Sequence, residues 1–169
     1  MKSAPLITIE AADGGTEVRA RVSGLAYSGG KMLLPLWRHP VVVELSGMEI
    51  PAKVPLLLDH RNQTSARVGL ISAHVDSGEL RIEGEILSGS PQAQGVVEQA
   101  KAGAPWQLSI GAEVRESELV QSAREVNGAL QEGPFQLIKL SRLREVSVVA
   151  VGADATTSMS LAATFKLYG

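Results

Sequence analysis

Cysteine is absent from the 169 residues, which excludes disulfide staples, thiolate zinc sites and cysteine nucleophiles. Aromatic residues are scarce at 4%, so the core must be built from Val, Leu, Ile and Ala. Stacking platforms for bases or sugars are not expected from so few rings. An excess of one charge is lacking too. Against 18 Asp plus Glu stand 16 Lys plus Arg, and a net charge of -2 leaves no footprint for nucleic acid. No apolar run approaches the roughly 18 residues of a membrane span, so no membrane partner is expected. The opening Met1-Lys2-Ser3-Ala4-Pro5 has no long apolar stretch, so no secretory leader is expected and synthesis is placed in the cytoplasm. A hydrophobic share of 44% excludes a largely disordered chain, and the length fits a single domain over 1–169.

What is present is mainly alternation of period two. Leu6 to Ile9 opens a strand that Asp13-Gly14-Gly15 breaks. From Glu17 to Leu25, Val18, Ala20 and Val22 point inward while Arg19 and Arg21 point outward. Tyr27 to Pro40 reads as a loop. Its apolar part, Met32 to Leu36, fits self-association into a homo-oligomer and packing on its own core equally well. Val41 to Leu45 reads as a doubly buried strand, and Val54 to Leu58 runs into Asp59-His60. Val68–Val75 and Glu79–Leu87 form a hairpin around Asp76-Ser77-Gly78.

Ser90-Pro91 starts a helix as N-cap and first-turn proline, and Gly103 stops it. Ala93, Val96, Val97 and Ala100 give that helix an apolar stripe, while Gly95 inside it makes it depend on tertiary packing. Trp106 to Val114 returns to strand, Glu116 to Pro134 reads as a mobile or edge hairpin, and Phe135–Leu140 and Glu145–Val151 read as two strands. Ala162 to Tyr168 offers a final one. The fold class is α+β and β-rich, a barrel-like antiparallel sheet with one or two flanking helices.

Three positions invite chemistry, and each has a plainer reading. His60 ends an apolar run before the polar loop Arg61-Asn62-Gln63-Thr64-Ser65, where a base held by a sheet reaches solvent; it also fits a surface histidine. Ser109 alternates away from Leu108 and Ile110, with Gly111 removing a side chain beside it; most serines in strands are only polar-face residues. Glu145 shares a face with Ser147 in an otherwise apolar run and needs a partner, either Arg142, Arg144 or an imidazole. His39, His60 and His74 with Asp59 and Asp76 match no compact metal-ligand spacing, and the glycines form no nucleotide fingerprint, so no metal or cofactor is expected.

Leu56-Leu57-Leu58-Asp59-His60, Leu108-Ser109-Ile110-Gly111 and Leu143-Arg144-Glu145-Val146-Ser147-Val148-Val149 occur in that order, with a hairpin and a helix between the first two. Over about residues 17–155 this arrangement resembles the prohead (procapsid maturation) serine proteases of tailed bacteriophages, which share a fold with the herpesvirus assemblin proteases. The resemblance implies a serine endopeptidase that cleaves scaffold and capsid precursor proteins in the host cytoplasm, inside the assembling procapsid. It implies Ser109 as nucleophile, His60 as general base and Glu145 as third member, where the herpesvirus relatives use a second histidine. Asp59 is the runner-up, although neighbouring strand residues point to opposite faces, and His74 is a further candidate in a hairpin arm. Gly111 and Gly152 are permissive backbone positions for an oxyanion hole. A scaffold-like extension, which relatives often carry, is expected to be encoded separately or removed. The alternative is a non-catalytic phage structural or assembly protein on the same barrel, which would not need these three residues.

Overall fold

The computed structural model describes residues 8–11, 20–87, 90–150 and 165–167. The turn expected at Asp13-Gly14-Gly15, the inward Val18 and the backbone at Gly152 lie outside the described residues. Among the described residues the chain builds one ten-stranded sheet, curled as a half-barrel, and a separate two-stranded one. In chain order the strands are β1 (Thr8–Ala11), β2 (Ala20–Tyr27), β3 (Val41–Val43), β4 (Met48–Glu49), β5 (Val54–Leu58) and β6 (Arg67–Asp76). There follow β7 (Glu79–Ile86), the helix α1 (Pro91–Lys101), β8 (Gln107–Val120), β9 (Arg124–Val126), β10 (Ala129–Gln131), β11 (Phe135–Val149) and β12 (Phe165–Leu167).

The large sheet runs β1-β2-β7-β6-β5-β11-β8-β12. Its curl brings β2 against β8 although four strands separate them in that order. Inside the curl, Val22, Val54, Leu56, Val68, Ile71, Leu80, Ile82, Leu108, Ile110, Val146 and Val148 form a continuous aliphatic core. On β2, β5, β7, β8 and β11 these core positions follow alternation, whereas on β6 a bulge at Val68 puts Val68 and Ile71, three residues apart, on the same side. Ala20 and Val22 are buried while Arg21 between them is exposed, as period two requires. Leu80, Ile82 and Ile86 are likewise buried, with Arg81, Glu83 and Glu85 in solvent.

The helix has the expected ends. Ser90 Oγ accepts from the Ala93 N–H, and Gly103 takes φ 91° just past the last turn. Ala93 and Val96 bury their side chains, and the Trp106 indole N–H donates to the Val96 carbonyl at 3.1 Å, so packing holds this helix.

Several expectations need correction. The sheet is mixed, because β11 takes β3, β4 and β5 in turn along one edge, all parallel, while β8 lies antiparallel on the other. Hairpin-spaced turns point to antiparallel neighbours, and pairings that arrive by long connections escape that reading. Phe135 to Val149 is one strand rather than two, since bulges near Lys139 and Arg144 absorb the break in alternation without ending it. Residues 116–120 extend β8, and only β9 and β10 form the expected hairpin. The segment Leu45–Gly47 is a 3₁₀ turn rather than the end of a strand. Among the described residues there is one α-helix. The loop before β3 is divided, Met32 and Leu34 packing inward while Leu33 and Leu36 face solvent.

Candidate active site

The central strands β5, β11 and β8 each have a core face, and the opposite face of β11 and β8 carries the polar residues. Ser109 and Ser147 are directly opposed in the β8–β11 register, and Glu145 is opposed to Gly111. The bulge at Arg144 lies immediately before Glu145: β11 advances two residues from Leu143 while β8 advances one. That extra residue lets both Leu143 and Val146 reach the core while Glu145 and Ser147 share the other face. Ser109 and Ser147 expose none of their surface, and Glu145 exposes 2%.

His60 arrives from β5. Leu58 is in parallel register with Val148, and the chain then turns back over β11 through Asp59 (φ 52°) and His60 (φ 57°). Two consecutive left-handed residues are unfavourable for any side chain, by about 1–2 kcal/mol each, though Asp and His tolerate the region better than most. Three backbone donors hold the turn. Asp59 N–H donates to Val148 O at 3.1 Å, His60 N–H to Ser147 Oγ at 3.0 Å, and Arg61 N–H to Leu58 O at 3.1 Å.

The imidazole then lies between a carboxylate and a hydroxyl. His60 Nδ1 is 2.5 Å from Glu145 Oε1, and Nε2 is hydrogen-bonded to Ser109 Oγ. Ser147 Oγ donates to the other carboxylate oxygen, Glu145 Oε2, at 2.7 Å. An ionised carboxylate only accepts, so the ring proton belongs on Nδ1 and the Nε2 lone pair faces the Ser109 hydroxyl. That tautomer can take a proton from serine. The His60 side chain retains 13% exposure.

The two readings of Glu145 separate here. Arg142 pairs with Glu49 at 2.9 Å and Arg144 with Glu113 at 3.5 Å, while Glu145 meets His60. Asp59 is exposed and belongs to the left-handed turn rather than to a strand. His74 is an exposed residue of β6 opposite Arg81. Gly111 has β11 on one side and β12 on the other, so its backbone sits within the ladders, a poor location for an oxyanion donor. Ser147 is the contact that sequence reasoning assigned no part. The signal was its face: alternation had already put this hydroxyl beside Glu145. Among the described residues no three metal-ligating side chains converge, and no helix is long and apolar enough to cross a membrane.

The side chains of Glu145, His60 and Ser109 thus stand in line, the geometry by which a serine-hydrolase triad is recognised. The chain belongs to the caudovirus prohead serine protease family, whose model matches residues 45–167. The match begins later than the resemblance drawn from the motifs and extends further, and it contains His60, Ser109 and Glu145. No curated protein and no solved structure matches the chain.

Proposed function

We propose that this chain is a serine endopeptidase of phage head maturation, acting as a single protease domain on scaffold and capsid precursors within the assembling procapsid in the host cytoplasm. One observation carries the reading: the continuous path from Glu145 through the His60 ring to the Ser109 hydroxyl. A non-catalytic assembly protein has no use for such a path.

In this reading His60 Nε2 removes the Ser109 proton as Oγ attacks a peptide carbonyl. The tetrahedral adduct then collapses, His60 returns that proton to the departing amine, and an acyl-enzyme remains on Ser109. Water, deprotonated by the same nitrogen, cleaves the ester and restores the hydroxyl. Glu145 keeps Nδ1 protonated and stabilises the imidazolium formed in each step.

The test is co-expression with the neighbouring head proteins, with precursor size read on a gel. Wild-type chain shortens the precursor, whereas Ser109→Ala and His60→Ala leave it full length although both variants fold. Normal processing by either variant overturns the proposal.

A further inference from the structure

We infer that Ser147 is a positioning residue of this site, its hydroxyl fastening the carboxylate and the base to each other. The inference rests on the protease reading and concerns a residue that does not touch the reacting atoms. Its geometry has two halves. The Ser147 hydroxyl donates to Glu145 Oε2 at 2.7 Å and accepts from the His60 backbone N–H at 3.0 Å. The first bond fixes which way the carboxylate plane faces. Rotation about the last Glu bonds would move Oε1 away from Nδ1, and terminal carboxylate torsions are broad when nothing holds them. The second bond holds the amide of the base itself, within a turn whose left-handed conformation needs outside support.

One oxygen therefore sets both partners of the Nδ1–Oε1 contact. It can do so because Ser147 lies on β11 two residues after Glu145, where period two returns the side chain to the same face. The parallel β5–β11 register brings the His60 turn over that spot. Ser147 also stands directly opposite Ser109, so the nucleophile, the base and the acid all neighbour it. Its complete burial shields both hydrogen bonds from competing water, which makes them directional constraints rather than exchanging contacts. Supporting groups of this kind, which orient a functional side chain through hydrogen bonds, are typically worth about 10–100-fold in metal sites.

The experiment compares Ser147→Thr with Ser147→Val, which have nearly the same shape but differ in the hydroxyl. The readout is the rate at which a small fluorophosphonate labels Ser109, which reports nucleophile activation and needs no protein substrate. Labelling of the Thr variant is expected within a few-fold of wild type, and that of Val about 10–100-fold slower, with both unfolding at similar temperatures. The downfield proton signal of His60 Nδ1–H should persist in Thr and shift or broaden in Val. Labelling of the Val variant at the wild-type rate overturns the inference. If the γ-methyl disturbs the site in both, Ser147→Ala decides: wild-type labelling overturns the inference, and slowed labelling with unchanged melting supports it. Failure of the wild-type chain to label, or equal labelling of His60→Ala, removes the protease reading and this inference together. Wild-type labelling by the Val variant, with His60→Ala still slowed, removes only the inference.

Discussion

Ser109 and Ser147 face each other across the β8–β11 ladder, and His60 is bonded to both, through its ring to the first and through its backbone to the second. His60 is thus held at the two strands it bridges, by groups that belong to those strands. This explains how a residue outside any strand, in an unfavourable backbone conformation, keeps one orientation. The sheet supplies the rigidity and the turn supplies the reach.

Glu145→Gln should lower turnover by a factor on the order of 10³–10⁴ while leaving the fold intact. The Ser147 hydroxyl donates to Oε2, which favours the amide carbonyl at that position and so turns the NH₂ toward His60. An NH₂ facing Nδ1 demands its lone pair, moves the ring proton to Nε2, and leaves nothing to accept the Ser109 proton. Single-turnover labelling rates check this. A loss smaller than about tenfold would show that the carboxylate does not choose the tautomer.

Gly111 is opposite Glu145 and two residues from Ser109, on the face where the imidazole lies. Opposed side chains on neighbouring strands sit roughly 4.5–5.5 Å apart at Cβ, so a branched side chain here crowds the ring. Gly111→Val should slow Ser109 labelling by about 10²-fold, since displacement of a reacting group by an ångström is enough for that, and Gly111→Ala should fall between. Thermal unfolding measured alongside separates this from a general loss of structure. Wild-type labelling by the Val variant would mean that the ring does not depend on the space above Gly111.

Local pattern carried much of this molecule. Alternation located β2, β7 and the core face of β8, the turn around Asp76-Ser77-Gly78 located β6 beside β7, and cap chemistry located both ends of α1, because in each case neighbours in sequence decide the conformation. His60, Ser109 and Glu145 were named from the residues, yet what joins them is the parallel pairing of β5 with β11, a contact between positions 85 to 90 residues apart in the chain. Nothing local encodes that register. The bulge at Arg144, which puts Glu145 and Leu143 on opposite faces, is similarly a property of the pair of strands. Ser147 was visible as a hydroxyl on the right face, but its part depends on a left-handed turn that the Leu56-Leu57-Leu58-Asp59-His60 motif does not announce.

Asn127 should matter to stability although it lies outside the site. At φ 54° its side chain accepts from Leu45 N–H at 2.9 Å and donates to Gly29 O at 2.9 Å and Val43 O at 2.7 Å. It clamps the β9–β10 turn to the segments that precede and follow β3. Asn127→Ala loses these bonds and keeps a left-handed residue with a Cβ, and is expected to destabilise by about 2–4 kcal/mol. Asn127→Gly loses the bonds without the backbone penalty, so it should be the less damaging of the two. Urea unfolding of the pair checks the order; the reverse order would assign the position's worth to side-chain volume.

Tyr27 makes stability fall at high pH. Its phenol is wholly buried, donating to Gly30 O at 2.5 Å and accepting from Val43 N–H at 3.1 Å. Burial pushes its pKa well above the ordinary 10.0, and the Val43 N–H opposes that only in part. Above about pH 10 the unfolded chain therefore releases a proton that the folded chain keeps. The stability contributed by the neutral phenol is complete below that pH and declines above it, by about 1.4 kcal/mol per unit, until the folded value is reached. Tyr27→Phe should be less stable near neutrality by about 1–3 kcal/mol, having lost two hydrogen bonds, but it should lack this part of the alkaline decline. The gap between the two proteins is thus expected to narrow by about 1 kcal/mol between roughly pH 10 and pH 11 in urea unfolding, where lysines common to both cancel. A gap that stays constant over that interval would mean that the buried phenol ionises as readily in the folded protein as in the unfolded one.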